Sequence, residues 1–209
     1  MIILLLGAPG AGKGSISNIL KYKYHFVHIS TGEIFRKAIN ANTDFAKKLK
    51  NIMLSGALID DDTTNEVVKN ELMSLADKNL NIILDGYPRN INQAHFLSKI
   101  VKIDYVFDIL VDEQEIMKRI TGRRTCPVCK SIYNIYYHKP QKEGICDFDG
   151  SLLVQRNDDK EDVVVERFKN YLVLNAPLVE HYKKQKIYYP IVNENLDKAI
   201  SEIKKVIGV

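Results

Sequence analysis

Short apolar runs recur along the 209-residue chain, each ending in a cluster of small or polar residues. Ile2–Leu6 is apolar throughout, and Phe26–Ile29, Asn81–Leu84, Tyr105–Val111 and Tyr188–Val192 follow the same plan. Continuous rather than alternating runs of this length mark strands buried on both faces of a parallel sheet. Between them lie stretches of helical character. One covers Lys13–Lys21, a second opens at the capping-box pattern Asp112-x-x-Glu115, and Leu196–Ile207 closes the chain as an amphipathic helix. Ser30 or Thr31 is placed to cap a further helix. The alternation predicts an α/β fold, with a five-stranded parallel sheet covered by helices on both faces.

Two segments break this rhythm. Residues 32–59 carry no strand-like run and look entirely helical, which predicts a small helical insert spanning 30–59. Residues 122–159 are rich in Cys, Tyr, Gly and charge and contain the β-prone stretch Ser131–Tyr137. They predict a small sheet-like lobe with too little apolar mass to hold itself together. Residues 1–29, 60–121 and 160–209 then form the core domain. No internal repeat or low-complexity linker interrupts them.

Composition narrows the class. Apolar residues make up 45% of the chain, enough for a sizeable core. No stretch reaches the roughly 18–20 apolar residues of a membrane span. Met1 leads directly into the first apolar run, so no signal or transit segment is expected and the expected location is the cytoplasm. A net charge of +4 with scattered lysines is too mild to argue for nucleic acid.

The first run ends in Gly7-Ala8-Pro9-Gly10-Ala11-Gly12-Lys13-Gly14-Ser15. Glycines here let backbone N–H groups turn inward on phosphate oxygens, the following helix adds its positive end, and Lys13 supplies a point charge. The spacing Gly7-x4-Gly12-Lys13 is that of a nucleoside-polyphosphate loop, with Gly14 interposed before the hydroxyl of Ser15. Ligands of parallel sheets bind beyond the carboxyl ends of the strands. The loop, Thr31, Asp85 and Arg89 all follow strand-like runs and so converge on one rim. Asp85 is placed to hold Mg2+ through water. Arg89, the i, i+4 pair Arg119 and Arg123, and Arg156 and Arg167 flanking Asp158-Asp159-x-Glu161-Asp162 supply guanidinium groups suited to bidentate phosphate contacts.

Cys126, Cys129 and Cys146 fall within 21 residues, and the chain has no other cysteine. An odd count in a cytosolic chain points away from disulfides and toward metal. Cys126-Pro127-Val128-Cys129 and Cys146-Asp147-Phe148-Asp149 form two knuckle-like pairs. Cys126, Cys129, Cys146 and Asp149 are therefore the expected ligands of a closed, structural zinc site, with His138 as the rival fourth ligand. His25, His28, His95 and His181 read as core or surface residues, and Tyr133, Tyr136 and Tyr137 as lobe packing.

Taken together, these motifs resemble the adenylate kinase family in its zinc-bearing bacterial form with a long lid, and the resemblance runs from Met1 to about Gly208. It implies a phosphate-loop NTPase-type core, an AMP-binding insert at 30–59 and a zinc-stapled lid at 122–159. ATP would be held by Gly10, Ala11, Gly12, Lys13, Gly14 and Ser15, where Ser15 stands for the family's threonine. Arg119, Arg123, Ile132 and Tyr133 would join them. Asn195 would take the ATP-adenine contact, in a turn Asn193-Glu194-Asn195 where the family carries glycine. AMP would meet Thr31, Arg36, Ala57, Leu58, Ile59 and Gln93. It would also meet Gly86, Tyr87, Pro88 and Arg89, with Tyr87 in place of the family's phenylalanine. Arg156 and Arg167 would bridge the transferring phosphoryl. Lys13, Asp85, Arg89, Arg123, Arg156 and Arg167 form the implied catalytic set.

The implied reaction is reversible: ATP and AMP give two ADP, with Mg2+. No general base is needed, because the attacking phosphate is already an anion. The implied partners are ATP, AMP and ADP, without nucleic acid or membrane, and a monomer is expected. A UMP or CMP kinase of the same fold is the alternative, and Gln93-Ala94 and the long metal-bearing lid speak for adenine. A zinc-ribbon nucleic-acid binder would use Lys130, Lys139 and Lys142, but Asp147, Asp149, Asp158, Asp159 and Glu161 offset them. An inactive scaffold is at odds with the presence of Lys13, Asp85 and the arginines.

Overall fold

A computed structural model of the chain describes residues 1–41, 43–75, 78 and 80–209. In chain order the first half forms β1 (Ile2–Gly7), α1 (Lys13–Tyr24), β2 (Val27–Ser30), α2 (Thr31–Ala38), α3 (Asp44–Leu54), α4 (Asp61–Met73), β3 (Ile82–Asp85) and α5 (Ile91–Ser98). The second half forms β4 (Tyr105–Leu110), α6 (Glu113–Thr121), β5 (Arg123–Thr125), β6 (Ile132–Asn134), α7 (Glu161–Lys184), β7 (Tyr188–Val192) and α8 (Leu196–Ile207). A short 3-10 turn, Asn157–Asp159, precedes α7.

The main sheet has the order β2-β3-β1-β4-β7 with every pairing parallel. β1 is apolar at consecutive positions because the pleat sends neighbours to opposite, equally covered faces. Leu4 and Leu6 pack with Ile29, Leu84 and Val106 under Val68 and Leu72 of α4, Leu97 of α5 and Leu178 and Tyr182 of α7. Ile3 and Leu5 pack with Ile83, Phe107 and Ile191 under Ile16 and Leu20 of α1 and Ile200 and Ile203 of α8. Burying each such side chain contributes about 1.5–3 kcal/mol, so both layers are held firmly on the sheet. Register aligns the carboxyl ends: Asp85 lies opposite both Leu5 and Ser30, and Gly7 opposite Ile109.

The expected strands differ from the observed ones by single residues, at the ends of β1 to β4 and at the starts of β2 and β3. Phe26 lies just beyond α1, where His25 turns left-handed (φ 58°) and Phe26 N–H donates back to Leu20 O at 3.3 Å. Ser30 caps α2, its hydroxyl accepting from Glu33 N–H at 3.4 Å. Asp112 caps α6 through Gln114 N–H at 2.8 Å, in place of the N–H of Glu115 that a capping box would use.

The insert is helical, as α2 and α3. The lobe at 122–159 has less regular sheet than its β-prone stretch predicts: β5 and β6 pair antiparallel, with isolated bridges Thr125–Val154 and Ile145–Leu152. Its interior consists of Cys126, Tyr133 and Cys146 with Leu153 packed against them. The 24-residue α7 carries Pro177 within it and exposes Val165, Leu172 and Val173, so no single apolar stripe announces it. Among the described residues, no helix is long and apolar enough to cross a membrane.

Candidate active site

β1 delivers the glycine-rich loop to the rim, and the loop after β7 fastens it there. Asn193, which the sequence did not mark, donates from Nδ2 to Ala11 O at 2.7 Å. Its own N–H donates to Leu110 O at 2.8 Å, and its carbonyl accepts from Arg119 Nη2 at 3.1 Å. Gly12 has φ 98°, and a Cβ there would lie 2.4 Å from Asn193 Nδ2, so only glycine fits. Lys13 curls back over the strand end, donating from Nζ to Gly7 O at 2.7 Å and Ala8 O at 2.9 Å. A third proton remains for an anion. Burial pushes its ammonium down to about 8, with Asp85 opposing and Arg89 and Arg167 adding to the depression.

Asp85 ends β3 beside Lys13 and opens on the cavity above the loop. Burial would raise its carboxyl, but His28, Lys13 and Arg89 outweigh that and hold it below the ordinary range. His28 is thus a neighbour of the site rather than a residue of the core or surface alone. Its Nε2 stands 3.4 Å from Asp85 Oδ2, with the two side chains 6% and 14% exposed. The contact falls short of a well-formed hydrogen bond.

The arginines gather on Asp158 and Asp159. Arg123 grips Asp159 with both Nε (2.8 Å to Oδ2) and Nη2. Arg167 Nη1 donates to the Asp158 carbonyl at 2.9 Å and Oδ2 at 3.1 Å, and Arg36 Nη1 lies 3.7 Å from the same carboxylate. Arg156 Nε donates to Thr125 Oγ1 at 3.1 Å. In the sequence these aspartates read as charge offsets, whereas in the structure they hold the guanidinium groups in place. Burial would raise the Asp158 carboxyl, but Arg167, Arg36, Arg123 and Arg156 together depress it. Burial pushes Arg89 down to about 10, helped by Arg167 and Arg36, and Arg156 down to about 9, helped by Arg123 and Arg36. Both remain charged at neutral pH, so the cleft carries crowded positive charge that a polyphosphate would relieve.

Two recesses meet at these arginines. The larger cavity, about 3180 Å³ including its open mouth, is lined by Gly10, Gly12, Lys13, Gly14, Ser15, Asp85, Arg119, Arg123, Ile132, Tyr133, Arg156 and Asn195. Ala11 is buried below it. Asn195 lines the cavity with both of its oxygens already engaged, since Oδ1 accepts from Asp197 N–H at 2.8 Å and its carbonyl from Ala199 N–H at 3.0 Å. The smaller recess, about 580 Å³, is lined by Thr31, Arg36, Ala57, Leu58, Ile59, Arg89 and Gln93. Arg36, Arg89 and Arg167 border both.

Gly86, with φ 78°, ties the smaller recess together. Its carbonyl accepts from Thr31 Oγ1 at 2.9 Å and Arg89 Nε at 2.8 Å, and a Cβ would crowd both side chains. Gly86, Pro88 and Arg89 border the larger cavity, but the Tyr87 ring does not line either recess. It is 1% exposed, and its hydroxyl donates to Asn65 Oδ1 at 2.6 Å. The motif's aromatic position is therefore a core anchor behind the site.

In the lobe, one donor atom each from Cys126, Cys129, Cys146 and Asp149 lie within 4.8 Å of one another. Cys129 and Cys146 sulfurs are 3.5 Å apart, and Val128 and Cys129 N–H groups point at Cys126 Sγ from 3.3 Å. Three soft sulfurs and one carboxylate at this spacing suit a tetrahedral zinc. His138 instead stacks on Tyr133, with ring centroids 5.5 Å apart.

A parallel α/β sheet with a glycine–lysine loop at its centre and an arginine-lined cleft defines a phosphate-loop nucleotide-binding protein. Residues 5–187 match the family model described as adenylate kinase. A protein of Ureaplasma urealyticum named adenylate kinase is 46% identical over 184 residues, covering 88% of this chain and 86% of its own. One from Malacoplasma penetrans is 46% identical over 197 residues, covering 94% and 91%. Another, from Caldicellulosiruptor saccharolyticus, is 40% identical over 215 residues and covers both chains fully. The chain belongs to the adenylate kinase family.

Proposed function

We propose that this chain catalyses reversible, Mg2+-dependent transfer of the terminal phosphoryl group of ATP to AMP, giving two ADP. The observation that carries the reading is the pair of recesses sharing Arg36, Arg89 and Arg167 as a common wall. One recess has a phosphate loop for a donor, and the other gathers Thr31, Arg36, Arg89 and Gln93 for an acceptor. In this reading the donor triphosphate lies along Gly10–Ser15 with the free proton of Lys13 on its terminal phosphates. Arg123, Arg156 and Arg167 stabilise the equatorial oxygens as the phosphoryl group passes in line to the acceptor phosphate. Thr31, Arg36, Arg89 and Gln93 hold the acceptor. Asp85 would hold Mg2+ through water, and the ion would neutralise and orient the donor phosphates.

Residues 30–59 and 122–159 act as two lobes closing over the substrates, which excludes water as a competing acceptor. Cys126, Cys129, Cys146 and Asp149 hold a structural zinc that substitutes for the core the lid lacks. The proposal extends to a monomer acting in the cytoplasm.

A coupled assay of ADP formation from ATP and AMP, run on wild type and Lys13→Met, tests the reading. Activity with AMP that collapses in the variant is the expected result. Wild type preferring UMP or CMP would replace it with a different nucleoside monophosphate kinase. No turnover with any monophosphate would overturn it.

A further inference from the structure

We infer that Asp61 determines acceptor-base specificity: by fixing the orientation of the Gln93 amide, it selects bases with an exocyclic amine beside a ring acceptor. The inference rests on the reading above, in which the smaller recess takes the acceptor nucleotide.

Gln93 lines that recess and is 1% exposed, so its amide orientation is set by protein partners rather than water. Oε1 accepts from Arg89 N–H at 2.7 Å, and Nε2 donates to Asp61 Oδ1 at 2.7 Å. A backbone N–H only donates and a carboxylate only accepts, so the two partners leave one way round for the amide. Reversing it would set N–H against N–H and oxygen against carboxylate.

Asp61 is itself held. Asn90 caps α5 by accepting Gln93 N–H on Oδ1 at 2.9 Å, which turns its Nδ2 to donate to Asp61 Oδ1 at 2.8 Å. Both amides therefore converge on one carboxylate oxygen at the start of α4.

What remains for a ligand is one lone pair on Oε1 and one proton on Nε2. The matching base edge offers a donor to the first and an acceptor to the second. A 6-aminopurine has both, in its amine and N1. A 6-oxopurine presents the reverse, N1–H and O6, and so leaves acceptor against acceptor and donor against donor. Sites built to hydrogen-bond one pattern reject its inverse strongly, because their own buried groups are left unpaired.

The experiment measures kcat and KM separately with AMP and IMP as acceptors, for wild type, Asp61→Leu and Asp61→Asn. Affinity for ATP serves as a check that each variant is folded. The AMP/IMP ratio of kcat/KM is expected to fall about tenfold or more in Asp61→Leu, chiefly through KM. The Arg89 N–H remains as the second lock, so discrimination is reduced rather than abolished. Asp61→Asn keeps an oxygen able to accept from both amides and is expected to retain most of the ratio. Equal loss toward AMP and IMP in Asp61→Leu, or an Asp61→Asn ratio as low as that of Asp61→Leu, overturns the role of Asp61 while leaving the proposed reaction intact. A wild type that phosphorylates no monophosphate overturns the underlying reading, and this inference with it.

Discussion

Arg123 and Asp159 form a bidentate pair across 36 residues of sequence, joining the base of the lobe at β5 to the turn where the lobe ends. Asp159 has no exposed surface, and Arg167 approaches the same carboxylate at 3.8 Å. The pair therefore stabilises chiefly by preventing a worse state, since its removal leaves buried guanidinium groups facing one another.

That reasoning predicts the effect of Asp159→Asn. The variant keeps the shape but loses the charge, and breaking a buried pair in this way costs about 3–5 kcal/mol. Denaturant titration should show the loss in the ligand-free protein. Added pyrophosphate should stabilise the variant more than wild type, because it supplies the missing anion. Equal stabilisation of both proteins would show that Asp159 does not balance the cluster.

Lys13 predicts a pH dependence in two directions. Folded Lys13 loses its proton near 8, whereas in the unfolded chain it keeps it up to 10.5. Between those values the unfolded state binds more protons, so the Lys13 contribution to ligand-free stability rises with pH. Polyphosphate binding has the opposite sign, because above 8 the ammonium must be re-protonated before it can meet the anion. Affinity for ATP should fall with a slope approaching one decade per pH unit from about 8 upward. Calorimetry at pH 9 in buffers of different ionisation enthalpy should show proton uptake on binding, and Lys13→Arg should abolish it.

Gly12→Ala should destabilise the protein by at least about 2 kcal/mol, combining left-handed backbone strain with overlap against Asn193. The companion double variant Gly12→Ala/Asn193→Gly removes the overlap at 2.4 Å but leaves φ at 98°. Because Asn193→Gly also loses the bond to Ala11 O, the melts are compared with that single variant: Gly12→Ala should cost less in the Asn193→Gly background than in wild type, but still cost stability. An equal cost in both backgrounds, or none in the second, would contradict the two-part origin of the cost.

The proposed metal site at Cys126, Cys129, Cys146 and Asp149 predicts a separable loss. Cys129→Ser should reduce bound zinc, lower the melting temperature by several degrees, and open residues 122–159 to protease before the core is cut. Turnover at low temperature should fall much less, because Cys129 does not line the cavity that would take the phosphates. Turnover lost at low temperature with the melting point unchanged would place the metal in the chemistry.

Much of this architecture is legible along the chain because burial on both faces writes itself as unbroken apolar runs. β1 and β7 fall where the hydrophobic pattern places them, and α8 matches its amphipathic stretch residue for residue. α7 is hidden because its two ends do different work. Val164 packs on Ala8 and on Ile116 and Ile120 of α6, and Leu178 and Tyr182 pack on the sheet, while no residue between Val164 and Leu178 is buried. The positively charged half of the site is equally visible, since lysine and arginine beside a glycine loop have few other uses. Its counterpart is not. Asp158 and Asp159 look like surface acid in a charged stretch, His28 like a strand filler, and Asn193 like a turn. Their roles come from neighbours 36 to 182 residues away in some of these contacts, a separation no local pattern encodes.

Both aspartates of the turn Asn157–Asp159 are engaged by arginines of different provenance: Arg36 from the insert, Arg123 from the base of the lid, and Arg167 from α7. Whatever the two lobes do must therefore register at a single turn of chain. The protein has no tryptophan. An indole placed at the exposed Asn157 would be its sole such fluorophore, and one emission signal would follow the insert and the lid together. The junction that balances the charge is thus also a natural vantage point from which to watch the molecule work.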